Sequence, residues 1–504
     1  MACTTHGAAV LCQHTSVVRI ICRVSPVGCV IENSFLKRSA TFQINKSTMS
    51  SAVHPQSQVD FLHGAPHRKH PGVTNMKTLR LPEQLQRAAQ SVVLSAQIKG
   101  LSDRAQSLTQ FLWSRKRPVD DLTLRQRATS LEKMVLQRAK ERGEDIDDDH
   151  VKMKVLSELK KTTYHWTPLR FNEELGVVYM AARLAGGYTA VRRALNEILI
   201  RDPSFAPYSL LDFGSGLGTA VWASHSCWGD TLKEMVCVES SGPMNVLAER
   251  LLKGTVKKTL SPASASVNSW FSFENIFVWR STDDNQNAQP HIKQVYFRQF
   301  LPVSPKVQFD LVVGAFSLSE LASKKDRVET LLTLWRKTSS YLVLVENGTK
   351  EGHQILMEAR DTLLKTQEQK ALDSRTASVF APCPHEMMCP KLARLPTVPC
   401  NFNQHYHPLP LPGSPVRQTE TFSYVILSRL DRKEAGAGQD WARLVAPVLR
   451  RPRHVHCHTC HPDGQLHHEV VTRKKHGRDV YRCARSSDWG DQLPIIQQEA
   501  ADPE

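Results

Sequence analysis

The run Leu210-Leu211-Asp212-Phe213-Gly214-Ser215-Gly216-Leu217-Gly218-Thr219 constrains this chain more than any other stretch. It reads as a buried strand that breaks into a glycine-rich turn and then a helix. Glycines at 214, 216 and 218 remove the side chains that would hold backbone N–H groups away from a ligand, and they allow positive φ in the turn. Twenty-one residues past Gly218, the apolar run Met235-Val236-Cys237-Val238 ends in Glu239. A second strand ending in a carboxylate at that distance is placed to hold ribose hydroxyls in a nucleotide-binding α/β sheet. Strand, glycines, helix and distal acid in that order predict a site for a nucleoside-containing cofactor. A glycine motif by itself leaves an ordinary strand-to-helix turn as the alternative.

The spacing G-x-G-x-G, with Asp212 two residues before the first glycine, resembles motif I of S-adenosylmethionine-dependent methyltransferases more than the G-x-G-x-x-G dinucleotide loop. Asp212, Gly214, Gly216, Gly218 and Glu239 are therefore the expected cofactor-binding residues. Phe309-Asp310-Leu311-Val312-Val313-Gly314-Ala315-Phe316 reads as the fourth strand and Tyr341-Leu342-Val343-Leu344-Val345-Glu346 as the fifth. Continuous apolar strands separated by helical stretches imply a parallel sheet covered on both faces. The expected fold is α/β, a Rossmann-type methyltransferase domain over residues 170–380.

At 504 residues the chain exceeds what one core usually supports, and two or three domains are expected. Its formal charge of +16 suits a surface that meets a polyanion, without saying which one. No stretch of eighteen apolar residues is present, so no membrane span is predicted. Residues 1–59 carry Arg19, Arg23, Lys37, Arg38 and Lys46 against the single acid Glu32, with many Ser and Thr. That is the pattern of a mitochondrial targeting segment. Arg19 and Arg23 interrupt the apolar run from Val17 to Ile31, which argues against a secretory signal.

Residues 60–169 form an N-terminal helical region. Leu85, Ala88, Val92 and Ala96 keep to one face, as do Leu124, Ala128, Leu131 and Val135. In Lys160-Lys161-Thr162-Thr163-Tyr164-His165-Trp166, two lysines precede aromatics that either meet a nucleotide or pack in the ordinary way. Residues 261–293 are rich in Ser, Asn and Gln, yet hold Trp270, Phe271, Phe273, Phe277 and Trp279 without a sustained period. They read as an insertion before the strand beginning at Val295.

The C-terminal region, 381–495, carries a second constellation. Cys383-Pro384-His385 is followed by Cys389-Pro390, by Cys400, and much later by His454-Val455-His456-Cys457-His458-Thr459-Cys460. Six of the twelve cysteines fall between 383 and 483, in a chain whose expected compartment keeps thiols reduced. Metal is favoured over disulfides. Four thiolates suit a [4Fe–4S] cluster or tetrahedral zinc, the interleaved histidines keep zinc open, and spacing alone does not choose. Arg450, Arg451 and Arg453 precede this run. Arg473, Lys474, Lys475, Arg478, Arg482 and Arg485 follow it on expected strands flanking turns at 462–464 and 476–479. A β-rich basic region of that kind is expected to present a phosphate-binding surface.

Together, the Asp212–Gly218 motif, Phe380-Ala381-Pro382-Cys383-Pro384-His385-Glu386, Arg453-His454-Val455 with Cys460, and Tyr481-Arg482-Cys483-Ala484-Arg485 with Trp489-Gly490-Asp491 resemble the mitochondrial small-ribosomal-subunit assembly methyltransferase-like family. The resemblance covers residues 65–495 apart from the insertion. It implies a mitochondrial matrix protein that binds S-adenosylmethionine and a [4Fe–4S] cluster and associates with the small ribosomal subunit and its rRNA. Its four cluster cysteines map onto Cys383, Cys389, Cys400 and Cys460, the last preferred over Cys457 on the family's pattern. The place after the fourth strand reads Ser317-Leu318-Ser319-Glu320 and lacks the Asn- or Asp-Pro-Pro-aromatic loop of base-nitrogen methyltransferases. Cys227 and Cys237 occupy no known nucleophile position, and Glu320 and Glu346 read as surface or capping acids rather than bases. A cofactor site without a visible catalytic residue is expected. An active rRNA methyltransferase and a zinc-stabilised RNA-binding protein are the alternatives.

Overall fold

Runs of apolar residues bounded by turns at 209–213, 234–238, 309–315 and 338–347 become adjacent strands buried on both sides. The computed structural model describes residues 61–495, except 63, 120, 145–146, 163–165, 254–290, 305, 367–376, 395 and 430–440. The expected targeting segment, most of the 261–293 insertion, and Tyr164 and His165 lie outside the described residues. Residues 53–498 cluster as one unit. Among the described residues no helix is long and apolar enough to cross a membrane.

Strands β1 (Ser209–Phe213), β2 (Glu234–Val238), β3 (Val295–Arg298), β4 (Phe309–Ala315) and β5 (Thr338–Asn347) are parallel in the order 3-2-1-4-5. Strands β6 (Ser378–Ala381), β7 (Phe402–Tyr406) and β8 (Gln418–Ser428) extend the sheet. β8 runs antiparallel beside β5, and β6 and β7 both pair with its far edge. The boundary expected at 380 therefore falls inside the sheet. Its closing strand, β8, comes after a Pro-rich stretch that hid it from a reading by spacing.

Alternation along each strand decides which core a side chain joins. Leu210, Leu311, Val313 and Val343 pack in one cluster with residues of α1 (Glu83–Ala96), α2 (Leu101–Ser114), α5 (Glu173–Arg201), α6 (Thr219–Trp228) and α7 (Gly242–Lys253). Leu211, Val312, Leu342 and Leu344 pack on the opposite face with α8 (Lys324–Lys337) and α9 (Lys350–Thr366). Between α2 and α5, α3 (Asp121–Arg142) and α4 (Asp148–Thr162) pack against each other. The half-buried stripe Leu124, Ala128, Leu131 and Val135 is the one the periodicity predicts.

The helix α5 spans 29 residues. It starts at Asn172, whose side chain accepts from the Leu175 N–H at 2.7 Å, and Glu173 and Glu174 complement its N-terminal dipole. A Cβ at Gly186 would stand 2.3 Å from Glu420 Oε2, so only glycine lets α5 lie this close to β8.

A short helix α10 (Pro390–Ala393) precedes β7. The C-terminal sheet comprises β9 (Ala442–Leu444), β10 (Leu449–Arg450), β11 (His454–Cys460), β12 (Leu466–Thr472) and β13 (Gln492–Leu493), all antiparallel. The strands expected around 473–485 are instead a helix, α11 (Arg473–Ser486). The Thr472 hydroxyl caps it by accepting from the Lys475 N–H at 3.2 Å, and Cys483 and Ala484 turn inward onto the sheet. Gly477, at φ 80° and ψ 170°, interrupts the helix where the sequence suggested a turn between strands.

The two sheets are tied by one buried carboxylate. Glu197 of α5 is fully buried and accepts from both Arg443 terminal nitrogens at 2.9 and 3.0 Å, from Arg193 at 3.1 Å and from the Tyr424 hydroxyl at 2.8 Å. These cations hold its pKa down at about 2 against the opposing effect of burial. Arg443 also donates to the carbonyls of Pro382 and Gly490. Breaking a buried pair from one side strands the other charge. Glu197→Ala is therefore expected to lower unfolding free energy by about 3–5 kcal/mol, read from denaturant midpoints. A loss under about 1 kcal/mol would show that water reaches the cations and relieves them.

Candidate cofactor and metal sites

From β1 the chain moves to β2 on one side, while β4 lies on the other, so a topological switch point falls between β1 and β4. Ligands of open α/β sheets bind outside the strand ends at such points. The glycines sit there at φ 67°, 49° and 70° for Gly214, Gly216 and Gly218. Gly214 and Ser215 donate to the Val238 carbonyl at 2.8 and 3.1 Å, which folds the loop across the end of β2. A Cβ at Gly214 would stand 2.5 Å from the Ser317 Cβ, whereas at Gly216 nothing lies nearer than 3.7 Å. A Cβ at Gly216 would thus meet only ordinary van der Waals contacts, with Met244 and the Gly214 carbonyl. Glu239, just after β2, accepts from the Gly216 N–H at 3.2 Å and the Ser241 N–H at 2.8 Å.

Around this loop the strand ends are acidic and incompletely satisfied. Asp212 is 2% exposed; burial first, and Glu239 second, push its carboxyl up to about 8. Glu346, at the end of β5, is buried too, and burial raises it to about 7 although the Ser319 N–H donates to it at 3.0 Å. One oxygen each of Asp212 and Glu346, and the hydroxyls of Ser215 and Ser317, are buried without a hydrogen-bond partner. Native interiors rarely leave such groups unpaired. Glu346 caps the turn at Leu318–Glu320, as a capping acid would, but it is not on the surface. Glu320 pairs with Arg115, whose guanidinium lies 5.0 Å over Trp166.

Two further residues, Tyr179 and Arg183 of α5, escaped the sequence reading. Tyr179 feels Arg183, Glu320, Glu239 and Glu346, and burial raises its hydroxyl to about 12. Arg183 donates to Glu420 at 3.0 Å and Asn347 at 3.2 Å, and it lies 4.9 Å over the ring of Phe316. Phe316 follows β4 at φ 57°, a costly conformation for a non-glycine residue. The available signal was two polar side chains four residues apart on an apolar helix.

The second constellation also assembles. Cys383 follows β6, Cys389 precedes α10, Cys400 precedes β7 and Cys460 ends β11. All four line one cavity of about 20 Å³, together with His385, Lys391 and Arg443. Cys457 points the other way, into the core beneath α11. Arg360 of α9, fully buried, holds the cysteine loop by donating to the carbonyls of His385 at 3.0 Å and Met387 at 2.8 Å. About two turns earlier on α9, His353 reaches Cys389 at 3.7 Å, while His385 reaches Cys460 at 3.3 Å. Burial raises the thiols of Cys383 to about 12 and Cys400 to about 11, and those of Cys389 and Cys460 move the same way. Among the described residues no three His, Cys, Asp or Glu side chains form a ready-made metal site. The thiols share the cavity without converging on a point.

The basic residues divide. Arg450 donates to the carbonyls of Arg485 and Ser487, and Arg485 donates to that of Arg451, so these two tie β10 to α11. Arg451, Arg453, Arg473, Lys474, Lys475, Arg478 and Arg482 are exposed.

The family described as mitochondrial small ribosomal subunit Rsm22 matches residues 173–494. The chain is 48% identical over 461 residues to "Ribosome assembly protein METTL17, mitochondrial" of Homo sapiens, covering 90% of this chain and 92% of that one. It is 30% identical over 232 residues to "Rsm22-cox11 tandem protein 2, mitochondrial" of Schizosaccharomyces pombe, covering 39% and 30%. Among solved structures, it resembles a precorrin-6y C5,15-methyltransferase from Geobacter metallireducens GS-15, with 10% identity, TM-score 0.27, and coverage of 47% of this chain and 87% of that one. It also resembles the amino pentose methyltransferase CalS10 from Micromonospora echinaspora, with 12% identity, TM-score 0.23, and coverage of 63% and 89%. Likeness at that level carries no argument.

The Asp212 carboxyl makes a prediction about the ligand-free protein. Its folded pKa, about 8, lies above its ordinary value of 3.8, so its stabilising contribution is complete below about pH 4 and is lost as pH rises towards 8. Asp212→Asn should remove that loss. The difference in melting temperature between variant and wild type should move in the variant's favour from pH 5 to pH 8. A difference independent of pH would show that Asp212 is ionised throughout.

Proposed function

The chain belongs to the mitochondrial small ribosomal subunit Rsm22 family, and from that premise we propose that it acts in the mitochondrial matrix as an assembly factor of the small ribosomal subunit. In this reading it binds S-adenosylmethionine and a [4Fe–4S] cluster, contacts ribosomal RNA and transfers no methyl group. The observation that carries the reading is that Cys383, Cys389, Cys400 and Cys460, from segments packed on both sheets, line one cavity.

The glycine site suits its ligand by charge and by shape. S-adenosylmethionine brings a sulfonium and an ammonium, and the strand ends offer Asp212, Glu239 and Glu346 with unpaired oxygens on two of them. Gly216 has no close neighbour that would keep a ligand from its backbone, and Glu239 is placed for a ribose diol. Nothing in the loop at 317–320 resembles a clamp for a target base. The Ser319 N–H donates to Glu346, and Ser317 packs against the Gly214 backbone. That argues for a cofactor bound as a structural or regulatory ligand.

Four thiols lining one cavity suit either metal. When bound, a cluster or a zinc ion would take the thiols as thiolates and cross-link the loop at 383–400 to β11, so metal-binding free energy would be folding free energy there. The small cavity favours zinc as a second reading, because one ion would fill it with less rearrangement than a cluster.

Calorimetry tests the cofactor. Glu239→Ala should weaken S-adenosylmethionine by about 1–3 kcal/mol, and Gly216→Val should abolish binding, whereas unchanged affinity in both would sink the pocket. Transfer of labelled methyl groups to small-subunit RNA would establish the active enzyme instead.

Metal analysis and the visible spectrum of anaerobically purified protein test the thiols. Cys383→Ser, Cys389→Ser, Cys400→Ser and Cys460→Ser should each lose the iron–sulfur absorbance and co-sedimentation with small subunits, while retaining S-adenosylmethionine. Cys457→Ser and Cys483→Ser should keep both. A colourless wild type holding one zinc would replace the cluster by the second reading.

A further inference from the structure

Strand alternation gives the β11–β12 hairpin two faces. Val455, Cys457 and Val471 are buried in the core under α11. His454, His456 and His458 fall on the other face, and His468 of β12 lies directly across from His458. On that face the rings pile up. His458 and His468 have centroids 4.6 Å apart at 14°, and His456 and His468 are 5.1 Å apart at 19°. His454 meets His456 edge-on at 4.9 Å. His456 Nδ1 and His468 Nε2 are 3.0 Å apart. His458 is exposed, and among the described residues its outer face meets no further ring.

The pile is bracketed by cations. Arg451 acts on His456, and Arg453, which precedes His454 in the chain, is exposed; at the other end Lys391 and Arg394 act on His458. Glu469 lies across from Cys457 and acts on that thiol, on the other side of the hairpin. A row of flat, water-accessible rings between two positive ends matches the needs of an unpaired nucleotide chain. Bases seek a π-face and phosphates seek cations, whereas a duplex hides its base faces.

Resting on the reading that this protein contacts ribosomal RNA, we propose that the His454–His456–His468–His458 stack is a docking platform for single-stranded RNA. A base continues the stack on the outer face of His458, and the flanking phosphates meet Lys391 and Arg394 at one end and Arg451 and Arg453 at the other.

The test titrates full-length protein with a fluorescent unstructured oligoribonucleotide and with an RNA duplex of equal length. Melting temperature and metal content of each variant serve as folding controls. His458→Ala should weaken single-strand binding roughly tenfold, His458→Phe should restore it, and duplex binding should not move. Unchanged single-strand affinity in both His458→Ala and the His456→Ala/His468→Ala double variant would overturn the platform, while wild-type binding would leave RNA contact standing. Equal losses for single strand and duplex would overturn the preference for unpaired RNA. A wild type that binds neither oligonucleotide would overturn RNA contact itself, and the platform with it.

Discussion

A carboxylate in the interior is costly unless its hydrogen bonds are filled, and the filled set around Glu197 is what the two sheets share. Glu197 lies on α5, Tyr424 on β8 and Arg443 on β9. Arg193 carries the network on to the Thr74 hydroxyl at 2.6 Å, and Thr74 in turn donates its N–H to Asp491 at 2.8 Å. The N-terminal segment, the long helix, the mixed sheet and the C-terminal turn at 488–491 are thereby bound to one charge. No hydrophobic contact specifies partner and register together in this way. An apolar replacement of the set would pack the sheets without fixing Arg443 on the Pro382 carbonyl.

That fixation matters because Pro382 opens the cysteine loop. Arg443 holds the loop from the C-terminal sheet and Arg360 holds it from α9. Two buried guanidiniums thus hold the cysteine loop in place. Both cations also oppose the raising of the Cys383 thiol by burial. In the proposed holo-protein the same guanidiniums would stabilise thiolates, so the scaffold that joins the sheets would also prepare the donor set. The glycine site stands apart. Its acids draw on α5 through Tyr179 and Arg183, and Arg183 answers to Glu420 on the first half of β8. α5 is the element both sites lean on, at residues 179–183 for one and at 193–197 for the other.

The fold was legible wherever the information was local. β1, β2, β4 and β5 are continuous apolar runs, and a parallel sheet covered on both faces allows no other composition. The glycine turn was legible because positive φ leaves a mark in residue type. β8 was not: its value lies in pairing with β5, β6 and β7 at once, which no spacing displays. α11 was misread because Gly477 and a crowd of cations imitate a turn between exposed strands, whereas its helical face consists of Val480, Tyr481, Cys483 and Ala484. The cysteines could be listed from sequence, but the orientations of Cys457 and Cys460 depend on the alternation of β11, three residues apart and so on opposite faces. His353 was invisible for the same reason, since it comes from α9, thirty-six residues before its partner Cys389.

The even-numbered face of β11 links the remaining features. It begins with the stacked histidines and ends at Cys460 in the cavity, with Lys391 lining the cavity and acting on His458. Lys391 itself is held by the carbonyls of Pro399 and Val445 at 3.3 and 3.0 Å. Any metal that draws Cys389 and Cys400 together would therefore reposition the segment bearing Lys391 and Arg394, because Pro390–Ala393 follows directly on Cys389 and Pro399 directly precedes Cys400. The cationic end of the proposed RNA platform would then be set by metal occupancy, while Arg451 and Arg453, on the far side of the hairpin, would stay in place. Coupling between metal and RNA would need no domain movement, only the closing of one short loop against a strand whose other end is already fixed.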